Sequence, residues 1–157
     1  MIVSRSADYA LRAMIYIARQ SGTRFVPLNE IATEMQTPPF LLSRLMQHMV
    51  KAGLLLSMKG HHGGFRLIKS PGDVTAAEIL RSIDGPFEAF DCTGISECGL
   101  RGQCTMLGMF SRAERVLDEV FSSVTLEDLA HLPHGQRLGT TNRVRFDIDR
   151  NEQVGGR

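Results

Sequence analysis

The chain has 157 residues, of which 43% are apolar and 22% charged, and its formal net charge is +1. This length fits one domain with its own hydrophobic core, alone or with an appendage. No apolar run approaches the roughly 20 residues needed to span a bilayer. The N-terminal residues carry charges within a helical pattern, unlike a signal peptide. We therefore expect a cytoplasmic protein without a membrane segment.

The charges are divided unevenly along the chain. Residues 1–70 contain nine Lys and Arg against three Asp and Glu, a net +6, whereas residues 71–157 contain nine against fourteen, a net −5. A basic half joined to an acidic half predicts that the first half binds a polyanion. An ordinary solvated surface is the plainer interpretation of the same asymmetry.

Three helices are predicted before residue 53. An apolar stripe with a 3.6-residue period predicts the first over residues 4–19, and a short second helix follows at about 28–35. Thr37 is expected to cap the third helix, because threonine is a favourable N-cap, and Pro38 to be its first residue. Gly53 then ends this helix, so that its last residue is Ala52.

The third helix has an apolar side and a polar side. Its predicted apolar residues are Leu41, Leu45, Met46, Met49 and Val50. A short helix, a tight turn and a longer helix are typical of a helix-turn-helix, in which the second helix reads DNA. Many other helical proteins contain such a pair. The residues predicted to face DNA are Ser43, Arg44, Gln47 and His48.

A two-stranded wing is predicted after this helix pair. Residues 54–58 and 65–68 read as strands, and a glycine-rich turn joins them. Lys59 and His61 lie near the tip of this turn, where basic side chains suit phosphate or minor-groove contact. His61 and His62 as metal ligands are the alternative, although no cysteine or acid lies beside them.

All three cysteines lie in one segment that is poor in apolar residues. Cys92, Cys98 and Cys104 have the spacing C-x5-C-x5-C. Such a segment cannot order itself by burial, and clustered cysteines in a reducing compartment suggest metal or redox chemistry. A disulfide would leave one cysteine over, and zinc usually binds closer cysteine pairs. A metal or cluster can use all three thiolates, so a cluster-binding loop is the favoured interpretation, and scattered small buried residues are the plainest one.

The helical pattern returns after the cysteines. A stripe of apolar residues predicts a long helix over 105–123, and a capping box at Thr125 predicts a short helix ending near Leu132. A similar capping box at Thr75 predicts a helix that reaches about Ile83, before the cysteines. The stripe must pack on its own domain or on a second copy, and we favour the second copy, hence a homodimer. Residues 133–157 have no period and are predicted to form a disordered tail.

We therefore expect a mainly α fold in four parts. These are a winged helix-turn-helix domain (1–84), a cysteine loop (85–104), a dimerisation helix with a short C-terminal helix (105–132), and the tail (133–157).

The sequence also resembles a known bacterial family, the Rrf-type winged-helix iron–sulfur regulators, which include the IscR, NsrR and RirA branches. The resemblance covers roughly residues 1–132. It rests on the opening Ser-Ala-Asp-Tyr-Ala-Leu-Arg at residues 6–12, on Ala-Gly-Leu at 52–54, on Ser-Met-Lys-Gly at 57–60, on Gly-Gly-Phe-Arg-Leu at 63–67 and on the spaced cysteines before a long helix. It implies a homodimer that binds near-palindromic, double-stranded operator DNA.

The resemblance further implies that Cys92, Cys98 and Cys104 bind the cluster. In the IscR branch a histidine three residues past the last cysteine is a further ligand, but Leu107 stands there in this chain. In the NsrR branch the fourth ligand is an aspartate of the first helix, supplied across the dimer, and Asp8 matches it. The chain is thus closer to the NsrR branch. A [4Fe–4S] cluster is favoured over [2Fe–2S].

Together these features predict a transcription regulator, a repressor, in which a cluster that senses nitric oxide, iron or redox state controls operator binding. The main alternative is a winged-helix regulator with zinc or bare thiols at the three cysteines. An iron–sulfur carrier is a remote alternative, since a carrier has no need of a wing. No catalytic constellation is evident, so we do not expect an enzyme.

Overall fold

The computed structural model of the protein describes residues 3–20, 24–60, 63–88 and 104–132. The helices are α1 (Arg5–Arg19), α2 (Leu28–Glu34), α3 (Pro39–Lys51), α4 (Ala76–Asp84), α5 (Leu107–Ser123) and α6 (Leu126–His131). The strands are β1 (Leu55–Met58) and β2 (Gly64–Leu67), and a 3-10 turn spans Pro71–Asp73. The predicted mainly α fold with a two-stranded wing is confirmed. The predicted tail over 133–157 lies outside the described residues.

Helix α1 is the centre of the core. Ser4 caps it by accepting the Ala7 N–H at 3.1 Å. Three alanines, Ala7, Ala10 and Ala13, are fully buried, and their small side chains let neighbouring elements approach closely. Helices α2, α3, α4 and α6 and strand β2 all contact α1. The largest fully buried side chains are Met14, Val26, Ile31, Leu42, Met46, Met49, Leu55, Val74, Ile79, Leu80 and Leu126.

Helix α2 is joined to α1 by a polar network around Glu30. The Arg24 guanidinium donates to the Glu30 carboxylate, and the Tyr16 hydroxyl donates to it at 3.0 Å. Hydrogen bonding from Arg24, followed by that from Tyr16, holds the pKa of Glu30 below its ordinary value. Burial, followed by the bond to Glu30, raises the pKa of Tyr16. The network fixes the first helix of the helix-turn-helix against the core helix.

The turn between α2 and α3 differs by one residue from the prediction. Pro38 occupies the cap position and Pro39 is the first helical residue. Thr37 is buried, and its hydroxyl donates to the Met35 carbonyl at 3.1 Å instead of capping α3. Proline suits the first helical turn because the N–H that it lacks has no partner there. The apolar side of α3 also departs from prediction, since Leu42 is fully buried whereas Leu41 is only half-buried.

The wing is anchored to the connection between α1 and α2. Strands β1 and β2 pair antiparallel, with Leu55 opposite Leu67 and Met58 opposite Gly64. Each strand begins or ends one residue away from its predicted boundary. Val26 and Phe65 exchange two backbone hydrogen bonds of 2.9 Å, and both are buried. The base of the wing is therefore part of the core.

The predicted capping boxes at Thr75 and Thr125 are both present. The Thr75 N–H donates to the Glu78 carboxylate at 2.8 Å, and this bond, followed by the Lys69 charge, holds the pKa of Glu78 below its ordinary value. The N-termini of α4 and α6 lie side by side, because the Leu126 N–H donates to the Val74 carbonyl at 2.8 Å. No helix in the described ranges is long and apolar enough to cross a membrane.

Candidate functional site

Helix α3 presents one polar face to solvent. Arg44, Gln47 and His48, all predicted to face DNA, are exposed, and Ser43 is half-buried. Lys51 is exposed as well. We call these five residues the α3 polar face. On the opposite side Leu42, Leu45, Met46 and Met49 are buried in the core. A rigid helix thus holds the predicted DNA-binding side chains of α3 together, as a recognition helix requires.

The wing contributes a second basic element. Lys59 is exposed in the turn after β1, and the Gly63 N–H donates to the Gly60 carbonyl at 2.9 Å to close that turn. His61, the other predicted wing residue, lies outside the described residues, as does His62. Arg66, on β2, is half-buried, with its guanidinium 4.9 Å from the centre of the Phe25 ring. Lys59 is therefore an exposed wing cation available for a phosphate contact.

Asp8 lies in the first turn of α1 and is half-exposed. Its carboxylate accepts a 3.0 Å bond from Arg12, one helical turn further on, and the two side chains are 46% and 58% exposed. An exposed pair of this kind contributes little to stability. Ser4, and not Asp8, caps the helix. The carboxylate of Asp8 is therefore accessible, and Arg12 is the ion-pair partner that the described part of the chain provides for it.

Cys104 is the one predicted cluster ligand among the three cysteines that lies within the described residues. It is half-buried, forms no disulfide, and precedes α5 by three positions. Leu107, where the IscR branch has histidine, is the first residue of α5 and is 48% exposed. Cys92 and Cys98 lie outside the described residues. No group of three potential metal ligands occurs among the residues that are described, which contain only one of the three thiols.

A junction that sequence reasoning missed lies just before the cysteine segment. The Asp84 carboxylate, at the end of α4, accepts bonds from the Ser4 N–H at 2.8 Å and from the Ser4 hydroxyl at 2.5 Å. We call this pair the Ser4–Asp84 junction. It borders a cleft of about 270 Å³ that Arg44 and His48 of α3 also line. Helix α4 therefore ends beside the α3 polar face, and the cysteine segment follows it in the chain.

Helix α5 contacts α4 through the side that carries Asp118 and Phe121. Asp118 pairs with Arg81 of α4, and the ring of Phe121 lies 5.1 Å from that of Phe87. Each residue turns an α-helix by about 100°, so four apolar residues lie on the side opposite Asp118. We call them the α5 outer stripe: Met109, Ala113, Val116 and Val120. Within the described part of the chain, no residue of α5 is fully buried, and Met109 is 61% exposed.

Comparison with known proteins agrees with this architecture. A family model described as Rrf2, iron-dependent transcriptional regulator, matches residues 3–132. An rrf2-like HTH-type regulator of Rhodobacter capsulatus is 30% identical over 137 residues, which cover 82% of this chain and 91% of that protein. NsrR of Oceanobacillus iheyensis is 26% identical over 131 residues, which cover 82% of this chain and 89% of NsrR.

Among solved structures, CymR, the global cysteine regulator of B. subtilis, is similar with a TM-score of 0.69 and 28% identity. The match covers 83% of this chain and 96% of CymR. The family model spans most of the chain, including the helix-turn-helix, the wing and the segment with all three cysteines. The chain therefore belongs to the Rrf2 family of DNA-binding, winged-helix transcriptional regulators.

Proposed function

We propose that this regulator is a homodimeric repressor whose operator affinity is set by an iron–sulfur cluster on Cys92, Cys98 and Cys104, with Asp8 of a second copy as the fourth ligand. The cluster reports nitric oxide, iron supply or redox state. The observation that carries the proposal is the position at which helix α4 ends, directly before the cysteine segment in the chain. Asp84, its last residue, bonds to Ser4 and lines a cleft together with Arg44 of the α3 polar face.

The donor set suits such a cluster. Thiolates are the usual protein ligands of iron–sulfur clusters, and Cys104 is free and half-buried. Asp8 is accessible and is not needed as a helix cap. Three thiolates and one carboxylate would leave one iron weakly held, and this gives the site a position that a signal molecule can attack. The iron-dependent description of the family model supports iron over zinc.

The Ser4–Asp84 junction supplies a route from the cluster to DNA. Ser4 caps the helix that carries Asp8, and Asp84 ends the helix that leads into the cysteine segment. A ligand bond from Asp8 of the second copy would tie the α1 helix of that copy to the cysteine segment of this one, and within each copy the junction faces Arg44 and His48 across the cleft. A switch needs contacts that differ between its two states. Loss of the cluster removes the contacts of Asp8 and of the three cysteines together.

The α3 polar face and the wing are expected to make different contacts with DNA. Arg44→Ala should cost about 1–3 kcal/mol and relax the preference at one base pair in each half-site, because a guanidinium fork matches the acceptors of guanine. Lys59→Ala should weaken binding to all sequences alike and lower the salt slope by about one unit. Binding-site selection and salt titration measure the two effects. An unchanged sequence preference for Arg44→Ala refutes its reading role.

The alternative of zinc or bare thiols is favoured by one observation, the similarity to CymR, a global cysteine regulator. Elemental analysis decides between the possibilities. Protein purified without oxygen is expected to contain iron and acid-labile sulfide, with visible charge-transfer absorption that Cys104→Ser abolishes. Thr105→Ser, at an exposed neighbouring position, is the matched control and should keep the cluster. The Asp8→Ala protein should still bind the cluster but should lose iron in air faster than the wild type.

Two other results of the elemental analysis would overturn the cluster proposal. Zinc without sulfide would place a zinc site at the cysteines. Metal-free protein whose thiols oxidise reversibly would indicate a thiol switch.

A further inference from the structure

Phe40 is the most exposed large apolar side chain among the residues that the structure describes. Its exposed fraction is 79%, against 61% for Met109, the next highest. A phenylalanine ring gains considerable free energy from leaving water, so a solvated ring on a folded domain suggests a contact surface. Unlike Met109, which belongs to the α5 outer stripe, Phe40 lies on the helix-turn-helix.

The position of Phe40 relates it to the α3 polar face. It is the second residue of α3, four residues before Arg44 and seven before Gln47. Residues at these spacings follow one another along the same side of a helix. In a helix-turn-helix the N-terminal residues of the second helix contact the edges of the bases. Phe40 therefore lies at the end of the helix that enters the major groove.

The charges around Phe40 restrict what can bind it. Arg44, His48 and Lys51 share the exposed side of the helix, and no acid occurs in α3. This surface complements a polyanion, and it continues the proposed DNA interface. Within the major groove the phosphates and most base-edge atoms are polar, and the C5-methyl group of thymine is the apolar feature. A phenylalanine ring matches that methyl group and has no hydrogen bond to offer a polar base edge.

We propose that Phe40 binds the C5-methyl group of one thymine in each operator half-site. The proposal rests on the proposed DNA-binding function and deepens it, since it assigns one base of the operator. Burial of one methyl-sized group corresponds to about fourfold in affinity. The expected effect is therefore about fourfold for one half-site and about fifteenfold for both half-sites of a dimer.

The test replaces thymine by deoxyuridine, which removes only the methyl group. A duplex obtained by binding-site selection is synthesised with each thymine replaced in turn, symmetrically in both half-sites. The affinity of the wild-type protein is expected to fall about fifteenfold when the thymine at one position is replaced in both half-sites. Phe40→Ala should bind the parent duplex correspondingly more weakly and should be indifferent to that replacement. Phe40→Leu, which keeps an apolar side chain, should retain part of the effect.

Arg44→Ala serves as the matched control on the same helix face, because its affinity should fall while its sensitivity to deoxyuridine persists. Circular dichroism establishes that the Phe40 variants are folded, as expected for a solvated side chain. Wild-type protein that binds its selected duplex but tolerates deoxyuridine at every position overturns the Phe40 proposal alone. A Phe40→Ala protein that keeps the full sensitivity to deoxyuridine also overturns the Phe40 proposal alone. A wild-type protein that selects no sequence overturns the proposed function and this proposal together.

Discussion

Val116→Asp is expected to convert a dimer into a monomer and to weaken operator binding by at least about thirtyfold. Val116 lies in the α5 outer stripe, on the side opposite the contact of Asp118 with α4. Specific binding commonly exceeds non-specific binding by about 4–10 kcal/mol. A monomer that reads one half-site retains about half of this, so the loss is about 2–5 kcal/mol, or thirtyfold to several-thousandfold.

The physical reason is the cost of burying an unpaired carboxylate between two apolar helices. Sedimentation measures the mass, and a mobility-shift titration measures the affinity. Ser122→Asp is the control, because it adds the same charge at an exposed position on another side of α5. A Val116→Asp protein that still sediments as a dimer would contradict the assignment of the α5 outer stripe.

Gly64→Ala is expected to destabilise the protein by about 3 kcal/mol or more, which corresponds to a fall in Tm of about 10 °C. Gly64 has a φ of +155°, and an added Cβ would lie 2.2 Å from the Val26 carbonyl oxygen. That neighbour is backbone and cannot rotate away. Relief requires separation of β2 from the α1–α2 connection, with loss of both 2.9 Å bonds between Val26 and Phe65.

Urea or thermal unfolding measures this effect, and Gly108→Ala is the control. Gly108 lies in α5, and a Cβ added there would have no atom within 4 Å, so alanine should be neutral or stabilising by up to about 1 kcal/mol. Equal unfolding midpoints for wild type and Gly64→Ala would show that the wing is not anchored at Val26. A folded Gly64→Ala protein with weakened DNA binding would place the damage in the wing alone.

Features set by neighbouring residues were predictable from the sequence. The capping boxes at Thr75 and Thr125 are correct because each depends on residues three positions apart. The N-cap of α3 was wrong by one residue. Two adjacent prolines both suit the first helical turn, and tertiary packing decides between them by burying Thr37. Helix α5 likewise begins at Leu107, two residues after the predicted start.

Features set by distant residues were not predictable. Ser4 and Asp84 are 80 positions apart, and no local pattern marks them as partners. The exposure of Phe40 to solvent could not be predicted either, because an apolar residue beside Leu41 and Leu42 is normally expected in the core. For the cysteine site, the residue types and their confinement to one segment carry the prediction. Its geometry depends on Cys92 and Cys98, which lie outside the described residues.

The most direct test compares the affinity of cluster-loaded and cluster-free protein for one selected operator duplex. Both forms come from a single anaerobic preparation, and iron and sulfide content are measured on the samples used. We expect the two Kd values to differ by at least about tenfold, or about 1.4 kcal/mol, a typical coupling free energy between two sites. Cys104→Ser should bind with the cluster-free Kd under both conditions. Equal Kd values for the loaded and cluster-free wild-type protein would contradict control of DNA binding by the cluster.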